Sequence, residues 1–141
     1  MKHVKWIVAV AFLVLSGMAV AQNIGSVRIV TDVPFEFMVA NKVVPAGQYV
    51  VQAATMDGQN LFIRNAGAKV GLISPTHTSE AKLRSSHYAL VFARYGDRYF
   101  LSGIKPEGSN ISYRLPESKA ERELRAKNAP STEETLVAYS Q

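Results

Sequence analysis

Between positions 24 and 105 apolar and polar residues alternate in short runs separated by turn residues. A period of two is that of a β-strand, whose successive side chains point to opposite faces. Residues 33–39 (VPFEFMV) set Phe35, Phe37 and Val39 on one face against Glu36 and Met38 on the other. Residues 48–55 repeat the pattern with Tyr49 and Val51 together. Further runs rich in β-branched and aromatic residues fall at 27–31, 61–64, 70–74, 87–94, 99–105 and 111–115. The breaks between them carry turn chemistry: Ala40-Asn41-Lys42, Pro45-Ala46-Gly47, Asp57-Gly58, 65–69, Gly96-Asp97 and 106–110. Proline presets φ and glycine accepts positive φ, so such stretches reverse the chain. Residues 76–86 are polar and aperiodic and read as the longest loop.

About eight strands at roughly ten-residue spacing, with no helix between them, predict an all-β fold. Connections this short join antiparallel neighbours, because parallel crossovers need a dozen or more residues. The fold class is therefore a small antiparallel β-sandwich or barrel. The pattern leaves sandwich and barrel open, and the strand order with them.

Past Pro116 the character changes. Ser118-x-x-Glu121 is a capping box, in which Ser118 accepts from an early helix N–H and Glu121 reaches back. It predicts a helix over 119–128, with Glu121–Arg125 and Glu123–Lys127 pairs along its surface. Only Ala120 and Leu124 form an apolar stripe, so the helix belongs on the outside or end of the β-domain. Pro130 ends it. Residues 129–141 read as a mobile tail, in which 136–139 has the composition of a docked edge strand.

Residues 1–21 have the layout of a secretory signal peptide. Lys2 and Lys5 form a basic start, 6–15 is an unbroken apolar run, and Ala19-Val20-Ala21 is a small-residue cleavage site. The run is half the roughly 20 residues of a spanning helix. Cleavage predicts a mature chain beginning at Gln22, with the β-domain over 22–128 and an exported location, periplasmic or extracellular. It also lowers the formal charge from +5 to +3, since both removed charges are lysines. That balance is too mild to argue for nucleic acid. The chain has no cysteine, so neither disulfides nor thiol chemistry enter, and stability rests on core burial.

Four motifs occur in order: Val33-Pro34-Phe35-x-Phe37, Pro45-Ala46-Gly47-x-Tyr49-x-Val51, Arg94-Tyr95-Gly96-Asp97-x-Tyr99-Phe100-Leu101, and Leu115-Pro116-x-Ser118-x-x-Glu121-Arg122-Glu123-Leu124. In this set the chain resembles a group of small secreted bacterial β-rich proteins of unknown function. The resemblance spans about residues 27–125. It implies an exported, mainly β domain and brings no catalytic or ligand residue with it.

Candidate chemistry is thin. The mature chain has two histidines, His77 and His87, without the spacing of a metal site. Serines, histidines and aspartates are present, but no G-x-S-x-G elbow or phosphate loop is. Asp97 suits a tight turn, and Glu121 and Glu123 suit a helix. No catalytic residue, cofactor or metal is expected. The most distinctive surface stretch is the 94–100 hairpin, where Arg94, Tyr95, Asp97, Arg98 and Tyr99 interleave basic and aromatic groups favoured at binding hot spots. The same residues also suit an ordinary hairpin, with Gly96-Asp97 turning and the arginines keeping the tip soluble.

Export, strand content and the lack of a catalytic constellation favour a non-enzymatic, envelope-associated or secreted binding or structural module. Its partner would be a protein or glycan of the envelope, with no membrane span after cleavage. The alternative is a carrier holding an apolar small ligand inside a barrel, lined by the phenylalanines and tyrosines. A long exposed edge strand would further predict dimerisation.

Overall fold

A computed structural model describes residues 28–55, 59–65 and 67–140. The expected signal peptide and the Asp57-Gly58 turn lie outside the described residues. Eleven strands occur among these: β1 (Arg28–Val33), β2 (Phe37–Val39), β3 (Lys42–Val44), β4 (Gly47–Ala53), β5 (Asn60–Asn65), β6 (Val70–Pro75), β7 (His77–Glu80), β8 (Tyr88–Tyr95), β9 (Arg98–Lys105), β10 (Ile111–Arg114) and β11 (Thr132–Ser140). One helix, α1 (Lys119–Ala126), precedes β11. The main hydrogen-bonded order is β3-β2-β9-β8-β11-β1-β4-β5-β6, with β10 beside β9 and β7 beside β10. The path does not close on itself, so the architecture is a β-sandwich and not a barrel.

The two layers are β1-β4-β5-β6 and the group around β8 and β9. Every pairing is antiparallel except a single parallel bridge between Met38 of β2 and Phe100 of β9. Alternation decides what lies between the layers. Ile29, Val33, Tyr49, Val51, Leu61, Ile63 and Leu72 come from one layer. Phe37, Leu90, Phe92, Leu101 and Ile104 come from the other. Rings interlock between the layers, with Phe37 edge-on to Tyr49 of the facing layer at 4.9 Å and to Phe92 of its own layer at 5.3 Å. Tyr49 keeps its hydroxyl satisfied there by donating to the Pro45 carbonyl.

Several sequence expectations change. The 33–39 run is not one strand. It is broken over Pro34–Glu36, where proline removes a ladder donor, although Phe35 still packs on the core. Ala40 and Asn41 both take positive φ, 50° and 61°, the geometry of a tight type I′ hairpin between β2 and β3. The expected 76–86 loop contains β7, which pairs with β10 from His77↔Arg114 to Ile111↔Glu80.

The largest correction concerns the expected mobile tail at 129–141. Residues 132–140 form β11, an interior strand and not an edge. It pairs with β8 from Thr132↔Arg94 to Ala138↔Tyr88 and with β1 at Ile29↔Ser140 and Val30↔Tyr139. One strand thus belongs to both layers and joins them.

Candidate functional site

The β8–β9 hairpin, which carries the candidate partner-binding residues, has two chemically different faces. Gly96 at φ 64° makes the turn, a conformation open to glycine at no steric cost. On the inner face Tyr99 stacks on Phe35 at 3.7 Å, and Phe35 meets Phe92 edge-on at 5.0 Å. Arg94 is fixed above this stack. Its Nε donates to the Gly96 carbonyl at 2.7 Å, its guanidinium lies 5.4 Å from the Tyr99 ring centre, and Nη1 reaches Glu134 at 3.5 Å. Arg98 lies 5.3 Å from the centre of Phe100. Asp97 is exposed at the tip. Phe35, Glu36, Met38, Val43, Asp97, Arg98 and Tyr99 surround a shallow hollow of about 150 Å³ beside the turn.

Tyr95 points the other way. It is only 9% exposed and meets Phe100 edge-on at 5.6 Å under α1. The expected five-residue patch is therefore divided. Arg94 and the rim of Tyr99 lie on one face of the tip, Arg98 lies on the other beside its cross-strand partner Tyr95, and Asp97 sits at the turn between them, while Tyr95 itself is covered.

What covers Tyr95 was not expected from the sequence. Ser118 caps α1 by accepting from the Glu121 N–H at 3.1 Å, and Asn41 Oδ1 accepts from Lys119 N–H at 2.9 Å. Two of the helix's orphan donors are thereby satisfied. The Glu121 side chain faces inward, 6% exposed, and shares a hydrogen bond with Tyr95. Burial, reinforced by the neighbouring Glu117 carboxylate, pushes the Glu121 carboxyl up to about 7. The Arg125 guanidinium and the Tyr95 hydrogen bond pull against that rise. Burial likewise raises Tyr95, helped by Glu121 and Glu117 and opposed by a hydrogen bond with Ser131. Arg125, expected to pair with Glu121, makes its salt bridge to Glu117 at 2.8 Å.

Beside this contact runs an open groove of about 670 Å³. His77, Ser79, Ser102, Arg114, Glu121 and Glu133 are among its lining residues. Charge there is mixed and partly spent internally, since Glu133 is held by Lys105 at 3.5 Å. The capping-box spacing in the sequence placed Glu121 on the first helical turn, but only the packing of α1 onto β8 turns its carboxyl toward Tyr95. The described residues hold no group of three or more His, Asp or Glu able to share a metal ion. No described helix is long and apolar enough to cross a membrane. Comparisons with protein-family models, with curated proteins and with solved structures find no match for this chain.

Proposed function

We propose that the protein is an exported, non-enzymatic β-sandwich that acts by binding, and that its contact surface is the β8–β9 tip formed by Arg94, Asp97, Arg98 and the rim of Tyr99. The observation that carries the reading is the fixed state of both arginines: each guanidinium already lies over an aromatic ring, and Arg94 is also tied to its own turn. Groups held in place before contact lose less freedom on binding, and arginine beside tyrosine is a recurrent hot-spot pairing. A fixed pair of cations flanking Asp97 suits an anionic protein patch or an acidic glycan of the cell envelope. The resemblance to small secreted β-rich bacterial proteins of unknown function bears only on the export part of this reading. The carrier alternative asks for an enclosed apolar space, and the layers here are filled ring against ring by Phe37, Tyr49 and Phe92.

The test is photo-crosslinking in the secreting cell. A photoreactive residue at Asp97 should give a discrete adduct, and one at Glu107, in the turn at the far end of β9, should not. Arg94→Ala with Arg98→Ala should remove the adduct while the protein stays folded. An adduct that survives the double substitution takes the site away from this tip. The denatured mass of the secreted chain tests export directly, because cleavage predicts a start at Gln22.

A further inference from the structure

Three strands pair on one side only among the described residues: β3, β6 and β7. An open edge invites another strand, and proteins usually blunt it with shortness, charge or proline. β3 has three residues, begins at Lys42 and runs into Pro45. β7 is short and polar and includes Glu80. β6 has six residues, Val70-Gly71-Leu72-Ile73-Ser74-Pro75, and no charge. Ile73 is 62% exposed on the outer face, directly beside Phe62 of β5.

The backbone phase of β6 is fixed. Its ladder with β5 has no register shift, and the next residue, Thr76, donates to the Gln59 carbonyl at 2.7 Å. Bonding direction alternates along an antiparallel strand, so Gly71, Ile73 and Pro75 turn their peptide groups toward the open edge. Pro75 therefore costs β5 no hydrogen bond, since its missing N–H falls on the outward side.

We propose that β6 pairs with β6 of a second copy of this chain, antiparallel about a two-fold axis through Ile73. The strand is self-complementary in that register. Each Ile73 N–H donates to the Ile73 carbonyl of the other copy. Each Gly71 N–H donates to the other copy's Pro75 carbonyl, so the missing proline donor is the only loss. Opposed residues share a face: Ile73 meets Ile73 outside, and Leu72 meets Ser74 inside. No charge sits in the pairing, so nothing within it repels. An edge of six residues buries less than the ~1,200 Å² of a standard interface, so the dimer is weak and concentration-dependent. The inference stands apart from the hairpin reading, which uses the other layer.

Sedimentation velocity of the secreted protein over a concentration series is the test. It should show monomer passing to dimer. The chain has no cysteine, so single cysteines report the register cleanly. Ile73→Cys should form a disulfide-linked dimer under mild oxidation, and Val43→Cys, on the β3 edge, should stay monomeric. Ile73→Lys sets two like charges across the axis and should weaken dimerisation at least tenfold with an unchanged circular dichroism spectrum. A monomer at every concentration overturns the proposal, and so does a dimer indifferent to Ile73→Lys. An Ile73→Cys chain that crosslinks only to an unrelated protein in the secreting cell also overturns self-pairing and gives the edge to a foreign strand.

Discussion

The two faces of the β8–β9 hairpin solve the same burial problem with different chemistry. Inside, Phe92 and Tyr99 meet Phe35 and Phe37, and the contact is apolar apart from the tyrosine rim. Outside, Tyr95 packs edge-on against Phe100 and meets the Glu121 carboxyl of α1. The inner contact is made of stacked and edge-on rings and holds no carboxyl. The outer one has Glu121, whose carboxyl holds its proton up to about 7. The sandwich core and the helix that caps it should therefore respond differently to acid, although they share a strand.

The contrast is sharpest in substitutions. Phe92 is fully buried against two rings. Phe92→Ala should cost about 3–5 kcal/mol in denaturant unfolding, by the same amount at pH 5 and pH 8. A strong pH dependence of that loss would break the comparison.

Glu121 comes next. Its folded-state value lies above the ordinary 4.5, at about 7. The group's contribution to stability is thus complete below about 4.5 and is lost as pH rises through about 7. At about 1.4 kcal/mol per unit the loss is roughly 3 kcal/mol. Glu121→Gln should flatten this part of the stability profile and leave the variant the more stable form above pH 7. A variant with an unchanged profile would mean that the outer contact does not titrate.

Ser118→Ala removes the cap acceptor from the Glu121 N–H and should cost about 1 kcal/mol, seen as a small drop in melting temperature at both pH values. The smallest effect belongs to the tip. Arg94→Ala with Arg98→Ala should change stability by under about 0.5 kcal/mol, because the one ion pair involved is exposed. A larger loss would make the arginines structural and weaken their assignment to binding.

The inner face was legible in the sequence and the outer face was not, for a physical reason. Phe37, Val39, Tyr49 and Val51 alternate, and alternation records which side is buried. Residues 132–135 (TEET) and 77–80 (HTSE) carry no such record. They are strands because of the ladders they complete, β11 on β8 and β7 on β10, and because Glu133 and Glu134 find Lys105 and Arg94 across the sheet. For the candidate site, the turn at Gly96 was legible, as was the basic–aromatic alternation. The reversal of Tyr95 was not, since it depends on a helix more than twenty residues further along.

The strand that joins the layers also sets the order of events in folding. β11 at 132–140 meets β1 at 28–33, so that closure spans about a hundred residues, while the β4–β5 and β5–β6 hairpins close locally. Distant pairings carry the larger loop-closure entropy and make β-sandwiches slow to fold. Until β11 arrives, β8 and β1 each present a bare edge. A chain emerging from its amino end spends that interval with two half-built sheets, and its exposure to wrong pairing lasts as long as the wait for β11.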